Sequence, residues 1–247
     1  MINVSNDLSR LLKKMGAPEN IKPISQADIL ELKRRDELRA ASEHRQRITN
    51  ALFGKSGLSQ HFLSCNFDNY VAETAEQAKA LNVAKRYAEK FVELAAVGKG
   101  FLFIGTPGTG KNHLAAAISN DLMAKNHSVV LLSVMDLFAR FRASYNDRSL
   151  TEERLIAEFM RPELLIIDEI GLQRGSIDEM LWLTRIIDKR LYGLKPTGFI
   201  TNLDLVALQS LLGERAYERL QDAATVAVKF NWSSYRGKKG FANGSGN

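Results

Sequence analysis

Gly105-Thr106-Pro107-Gly108-Thr109-Gly110-Lys111 follows an apolar run, Phe101 to Ile104, and precedes a helix-forming stretch, Leu114 to Ala124. Glycines at this spacing let backbone N–H groups turn inward around a polyphosphate. The following helix N-terminus adds positive potential, and the lysine reaches the outer phosphates. These seven residues, with Asn112 and His113 after them, are the candidate ATP-binding loop. The pattern asks next for Ser or Thr, whose hydroxyl ligates magnesium; here Asn112 stands instead. A carboxamide oxygen can also ligate magnesium, with longer reach and different geometry. Nucleotide binding is expected to survive this change, and fast hydrolysis is left open. His113 reads as a packing neighbour of the loop before it reads as a metal ligand.

Leu164 to Ile167 is a second apolar run, ending in Asp168-Glu169. In a P-loop sheet such a strand end lies beside the phosphates. Asp168 can then hold magnesium, directly or through water, and Glu169 can orient the attacking water. A third run, Gly198 to Thr201, ends at Asn202. Its amide can contact the γ-phosphate or that water; taken alone, Asn202 or its neighbour Asp204 reads equally as a turn or helix cap.

Between these motifs lies Phe138-Ala-Arg-Phe-Arg-Ala-Ser-Tyr145, with Arg148 just beyond. Aromatic faces stack on bases of any identity, and arginines follow a phosphate backbone. Phe138 and Phe141, one helical turn apart, are expected in the core. Arg140, Arg142 and Tyr145 are the candidate single-stranded DNA contacts.

The elements needed to position these groups are legible. Further strands are expected at Ser128–Ser133 and Thr225–Phe230, and one long helix from Thr74 to Ala96. Helices between strands argue for an α/β fold, a parallel sheet covered on both faces. In front of it, Leu8, Leu11, Leu12 and Met15 recur at helical spacing before Gly16 and Pro18. A second helix starts at Ser25, whose hydroxyl can cap it, with Asp28 in its first turn. Ile29, Leu30, Leu32, Leu38, Ala41 and Ile48 form a stripe too narrow for a core of its own, so it wants a partner, within this chain or on another protein. The domains expected are a helical arm at 1–52, a linker at 53–72, the core at 73–236 and a disordered Gly/Ser/Asn/Lys tail at 237–247.

The bulk numbers set bounds. Hydrophobic residues make up 45% and charged residues 25% of 247, ordinary for a globular chain. A net charge of +6 raises the prior on a nucleic-acid partner without requiring one. No apolar run reaches the roughly 18 residues that span a bilayer. The single cysteine, Cys65, excludes an internal disulfide and suits a reducing cytoplasm.

The P-loop, acidic pair and Thr201-Asn202 strand end, in that order, resemble the AAA+ ATPases. Residues 108–117 (GTGKNHLAAA), 167–171 (IDEIG), 211–215 (LLGER) and 230–236 (FNWSSYR) are more narrowly similar to the DnaC-type replicative helicase loaders. Asn112 fits that family. The resemblance covers about residues 50 to 236. It implies an AAA+ core behind an arm that grips a hexameric replicative helicase, opens its ring and admits single-stranded DNA. It also implies ATP and DNA controlling release, and self-association in the ATP state. The family's intersubunit arginine falls on Arg219, although Arg215, on the same helix face, can serve as well. Both can also be surface ion pairs with Glu214 or Glu218. A second sensor arginine falls on Arg236, and Phe67 and Tyr70 fall in a segment near adenine. An IstB-like transposition helper acting on duplex DNA and a transposase shares the core. A nucleotide-responsive adaptor that never hydrolyses ATP, and a small-molecule kinase, are more distant alternatives.

Overall fold

The computed structural model describes residues 25–36, 60–145, 150–172 and 175–235. The expected first helix, Arg148, Arg236, the tail and most of the arm lie outside these. Within a first unit, Met1–Ala41, the described part is helix α1, residues 26–36. Ser25 caps its start as the sequence suggests, and Asp28 returns the bond to make the cap reciprocal. Ser25 Oγ accepts from the Asp28 N–H at 3.1 Å, and Asp28 Oδ2 accepts from the Ser25 N–H at 3.1 Å. Ile29, Leu30 and Leu32 are all exposed on it.

Among the described residues the second unit holds five strands: β1 Gly100–Gly105, β2 Val129–Ser133, β3 Leu164–Ile170, β4 Thr197–Thr201 and β5 Ala224–Phe230. They lie in the order β2-β3-β4-β1-β5, every neighbouring pair parallel. Side chains alternate between two cores, as the period of a strand demands. Phe101, Phe103, Leu131, Leu164 and Ile166 face one layer of helices; Leu102, Leu132, Leu165, Ile167 and Phe199 face the other. The first layer contains α3 (Ala75–Glu89), α4 (Phe91–Ala96) and α5 (Lys111–Ala124). The second contains α6 (Val134–Ser144), α7 (Glu152–Met160), α8 (Ile177–Tyr192), α9 (Leu205–Leu212) and α10 (Glu214–Ala223). Burial on both faces is why the strands read as continuous apolar runs.

Two expectations change. The helix read as continuous from Thr74 to Ala96 is interrupted at Lys90 (φ −95°, ψ 13°), where Phe91 turns into the core against Tyr87. Of the stretch 53–72 expected as a linker, the described residues 60–72 include groups that pack on the core. Helix α2 (Gln60–Leu63) lies on α5, where Asn120 Nδ2 donates to the carbonyls of Phe62 (2.9 Å) and Cys65 (2.7 Å). Cys65 is buried, and Phe67 and Tyr70 pack against the α3–α5 core. A polar, glycine-containing stretch looked like a spacer because its few apolar side chains have no periodicity.

One buried cation escaped the sequence reading. Arg190, on α8, is fully buried and makes five hydrogen bonds: to Thr197 Oγ1 and to the carbonyls of Phe159, Pro162, Glu163 and Pro196. It ties together the entries of β3 and β4, adding a donor to carbonyls there that include Pro196, which also accepts from the Leu165 N–H. Desolvation pushes its guanidinium down to about 9, so it keeps its proton at neutral pH.

Candidate functional site

The phosphate loop joins β1 to α5, as the sequence requires. Its backbone leaves the region open to most side chains at Gly105 (φ +145°), Gly108 (φ +77°) and Gly110 (φ +95°). Close approach adds to this. A Cβ on Gly105 would meet the Phe230 carbonyl oxygen at 2.2 Å, and one on Gly110 would meet the Tyr70 ring at 2.8 Å. Within the loop, Thr109 Oγ1 donates to the Thr106 carbonyl at 2.8 Å. Lys111 is buried beneath it, with Nζ donating to the carbonyls of Gly105 (2.7 Å) and Thr106 (2.8 Å). The ammonium thus lies inside the ring of loop atoms, with Pro107 and Thr106 exposed on its rim.

Two flanks hold this loop. On one side Tyr70 packs edge-on against His113 (5.4 Å between centroids), and the His113 Nε2 lies 3.1 Å from the Asn66 carbonyl. His113 is therefore a packing residue that joins α5 to the segment ahead of α3. Burial pushes the Tyr70 hydroxyl up to about 12. Phe67, half-buried, packs against the same core. On the other side Trp232 Nε1 donates to the Thr109 carbonyl (2.9 Å), and the Tyr235 N–H donates to the Gly108 carbonyl (2.9 Å). Neither had been singled out. Their signal was present in the 230–236 motif, but the indole donor becomes visible only once β5 lies beside β1.

The acidic pair comes to the loop directly. Asn112 Nδ2 donates to Asp168 Oδ2 at 2.5 Å. Asp168 is buried, and desolvation pushes its carboxyl up to about 6. The Glu169 N–H on Oδ1 (2.6 Å) and the nearby Lys111 oppose that rise, while the Glu169 charge adds to it. Glu169 sits at φ +59°, rare for a non-glycine residue. The register explains how: Ile167 pairs with Phe199 and Ile170 with Thr201, so β3 carries one extra residue there. This bulge turns Glu169 half out of the buried strand, a placement that costs backbone strain and is common at functional sites.

β4 separates β1 from β3 and pairs Thr201 with both Ile104 and Ile170. Its end therefore emerges between the phosphate loop and the acidic pair. Thr201 Oγ1 donates to the Ile170 carbonyl (2.6 Å) and accepts from the Leu203 N–H (3.1 Å). Asp204, not Asn202, caps the next helix through the Ala207 N–H (2.8 Å), and Asn202 is exposed.

The remaining expected residues within the described range have partners of their own. Arg219 Nε is 3.4 Å from Asp188 on α8, and its guanidinium lies over the Tyr192 ring. Arg215 approaches the same Asp188 at 3.9 Å. The acidic partners are thus Asp188 and, for Arg219, Asp222, in place of Glu214 and Glu218. On α6, Phe138 and Phe141 are core. Arg140 pairs with Glu158 (3.3 Å), Arg142 with Glu179 (2.8 Å), and the Tyr145 hydroxyl donates to Asp178 (3.2 Å). Tyr145 is 64% exposed, at the outer end of an aromatic series running through Trp182 and Phe141 to Phe159.

A parallel sheet in this order, with a phosphate loop after β1, an acidic pair after β3 and a polar strand end between them, defines an ATP-binding AAA+ core. The comparisons agree, and the chain belongs to the IstB-like ATP-binding proteins, in the group of DnaC-type replicative helicase loaders. The IstB-like ATP binding protein family matches residues 10–239. The replicative helicase loader DnaC of Buchnera aphidicola subsp. Acyrthosiphon pisum is 39% identical over 227 residues, 89% of this chain and 91% of that one. That of Escherichia coli K12 is 36% identical over 244 residues, 96% and 98% of the two. The crystal structure of the DnaC helicase loader superposes with a TM-score of 0.61 at 24% identity, covering 70% of this chain and 99% of that chain. That of DnaI gives 0.59 at 22%, covering 72% and 93%. At those identities the structures bear on the fold alone. Among the described residues no helix is long and apolar enough to cross a membrane.

Proposed function

We propose that this chain is an ATP-dependent loader that binds a hexameric replicative helicase through its N-terminal arm, opens the ring and helps place it on single-stranded DNA. ATP and DNA together control its release. The observation that carries this reading is the 36% identity to a curated loader over 96% of the chain, a span that includes the arm as well as the core. An IstB-like transposition helper would share the core and the family.

In this reading the P-loop N–H groups and Lys111 take the phosphates of ATP, with Lys111 Nζ exchanging loop carbonyls for phosphate oxygens. Phe67 and Tyr70 wall the base. Asp168 and Asn112 would hold magnesium, whose charge offsets that of the β- and γ-phosphate oxygens. The donor set suits it: a desolvated carboxylate beside a carboxamide is short of positive charge and offers the oxygen ligands magnesium prefers. Glu169 orients the attacking water and takes its proton as the bond to ADP breaks, and Asn202 holds the water or the γ-phosphate. Arg219 acts on the site of a neighbouring copy after leaving Asp188, which makes turnover depend on self-association; Arg236 is its counterpart in cis. Arg140, Arg142 and Tyr145 take the single strand.

The decisive experiment is capture of the replicative helicase with ATP or ADP, by the full chain and by one lacking residues 1–50. Complex formation that requires the arm is the expected result. No binding in either nucleotide state, together with duplex-DNA binding, would transfer the reading to the transposition helper.

A further inference from the structure

The carbonyls of the phosphate loop have donors of two kinds. Those of Gly105 and Thr106 accept from Lys111 Nζ, which on the reading above leaves them for phosphate oxygens. Those of Gly108 and Thr109 accept from two neutral donors in the segment after β5: the Tyr235 N–H at 2.9 Å and Trp232 Nε1 at 2.9 Å. The first is backbone and the second a side chain, so Trp232 is the donor that residue type specifies. Its ring is half-buried, 4.9 Å from that of Phe230, which is fully buried and pairs in register with Gly105. The indole is thus fixed by the strand that runs beside the start of the loop.

In a trans peptide the C=O and the N–H of one unit point in opposite directions. A donor on the Thr109 carbonyl therefore sets the heading of the Gly110 N–H, and one on the Gly108 carbonyl sets that of the Thr109 N–H. Gly108 (φ +77°) and Gly110 (φ +95°) stand left-handed on either side of Thr109, the alternation by which successive N–H groups converge on an anion. The same glycines leave these two units free to flip, because glycine tolerates either sign of φ. An N–H that flips outward is lost to a phosphate, so the loop needs donors that hold its carbonyls in place.

We propose that Trp232 is a positioning residue for the nucleotide: its indole N–H locks the Thr109–Gly110 peptide with the Gly110 N–H turned toward the phosphates. This rests on the reading of residues 105–111 as the ATP loop. A phosphate on that N–H polarises the peptide and makes the Thr109 carbonyl a stronger acceptor. The coupling is reciprocal: whatever Trp232 adds to phosphate affinity, a bound phosphate returns to the indole bond. The indole proton of Trp232 thus reports whether the loop is occupied.

The test uses the full chain, labelled with ¹⁵N at tryptophan, with and without ADP and magnesium. The chain has two tryptophans, and Trp232→Phe removes one indole N–H signal and so assigns both. In the wild type, saturating ADP should shift the Trp232 signal downfield and slow its exchange with water about threefold or more. The Trp182 indole, which donates to Glu152, should keep its signal. Trp232→Phe keeps an aromatic ring against Phe230 and loses the donor, so calorimetry should show ADP binding about three- to tenfold weaker, the span of one neutral hydrogen bond. Unchanged ADP affinity in this variant, or a Trp232 signal that ADP does not move, would overturn the positioning role and leave the phosphate loop standing. A wild type that binds no ADP would overturn both. If Trp232→Phe does not fold, the wild-type indole protons decide, since ADP should slow the exchange of one and not the other.

Discussion

The phosphate centre and the α6–α8 surface use charged residues in opposite ways. At the centre, Lys111, Asp168 and Glu169 are brought together by backbone devices, namely three left-handed glycines, a bulge and a strand end. Burial raises the Asp168 carboxyl there, and the nearby Lys111 only partly opposes that rise. On the surface, Arg140, Arg142 and the Tyr145 hydroxyl each already have an acidic partner, Glu158, Glu179 and Asp178. The first region is built to gain from a polyphosphate that brings its own cation. The second must exchange an existing partner for any phosphate it takes, so charge there tunes binding more than it drives it.

The contrast is sharpest for single substitutions at the centre. Glu169→Gln should lower ATP turnover by about 10²–10⁴-fold, the span of general-base catalysis, while ATP still binds. Steady-state turnover and equilibrium binding of labelled ATP separate the two; loss of binding instead would assign Glu169 to the cradle. Lys111→Ala should weaken ATP binding by about a hundredfold or more, since a buried ammonium makes charge-assisted bonds to phosphate. Undiminished affinity by titration calorimetry would remove the P-loop assignment.

A smaller effect should appear in stability. The Asp168 carboxyl is raised from 3.8 to about 6 in the folded chain. A raised carboxyl stabilises the fold fully below its unfolded value, and that contribution is lost as pH climbs through the folded value. Without nucleotide and in EDTA, Asp168→Asn should therefore raise stability at pH 7 by at most about 3 kcal/mol, with almost no gain at pH 4. Denaturant midpoints at the two pH values check this. Equal gains at both would mean that the benefit is packing and not removal of a desolvated charge.

The same contrast explains what was readable beforehand. The centre was legible because each of its groups follows an apolar strand, and in a parallel sheet every strand delivers its end to the same edge. Phe101–Ile104, Leu164–Ile167 and Gly198–Thr201 thus located Gly105, Asp168 and Asn202 without any tertiary knowledge. The partners that cross between elements were not legible. Asp188, Glu179 and Glu158 lie on helices distant in sequence from the arginines they meet, and nothing local marks them. Arg190 looked like one more charge on an amphipathic helix, because its five acceptors exist only once α7, β3 and β4 converge. The packing of Cys65 and its neighbours is hidden for a related reason: it depends on Asn120 clipping the carbonyls of Phe62 and Cys65 to α5.

The finest division concerns Tyr145. If aromatic stacking supplies most of the affinity of this surface, Tyr145→Ala should weaken oligo(dT) binding by about 1–3 kcal/mol, a figure typical of one base–aromatic stack. Tyr145→Phe keeps the ring and removes only the 3.2 Å bond to Asp178, an exposed bond that water can replace. Its oligo(dT) affinity should then match wild type, or exceed it slightly, because the ring no longer holds to α8. Fluorescence anisotropy at fixed salt distinguishes these cases. A Phe variant as weak as the Ala variant would mean that the hydroxyl, not the ring face, meets the strand, and the surface would then resemble the centre in relying on polar contacts.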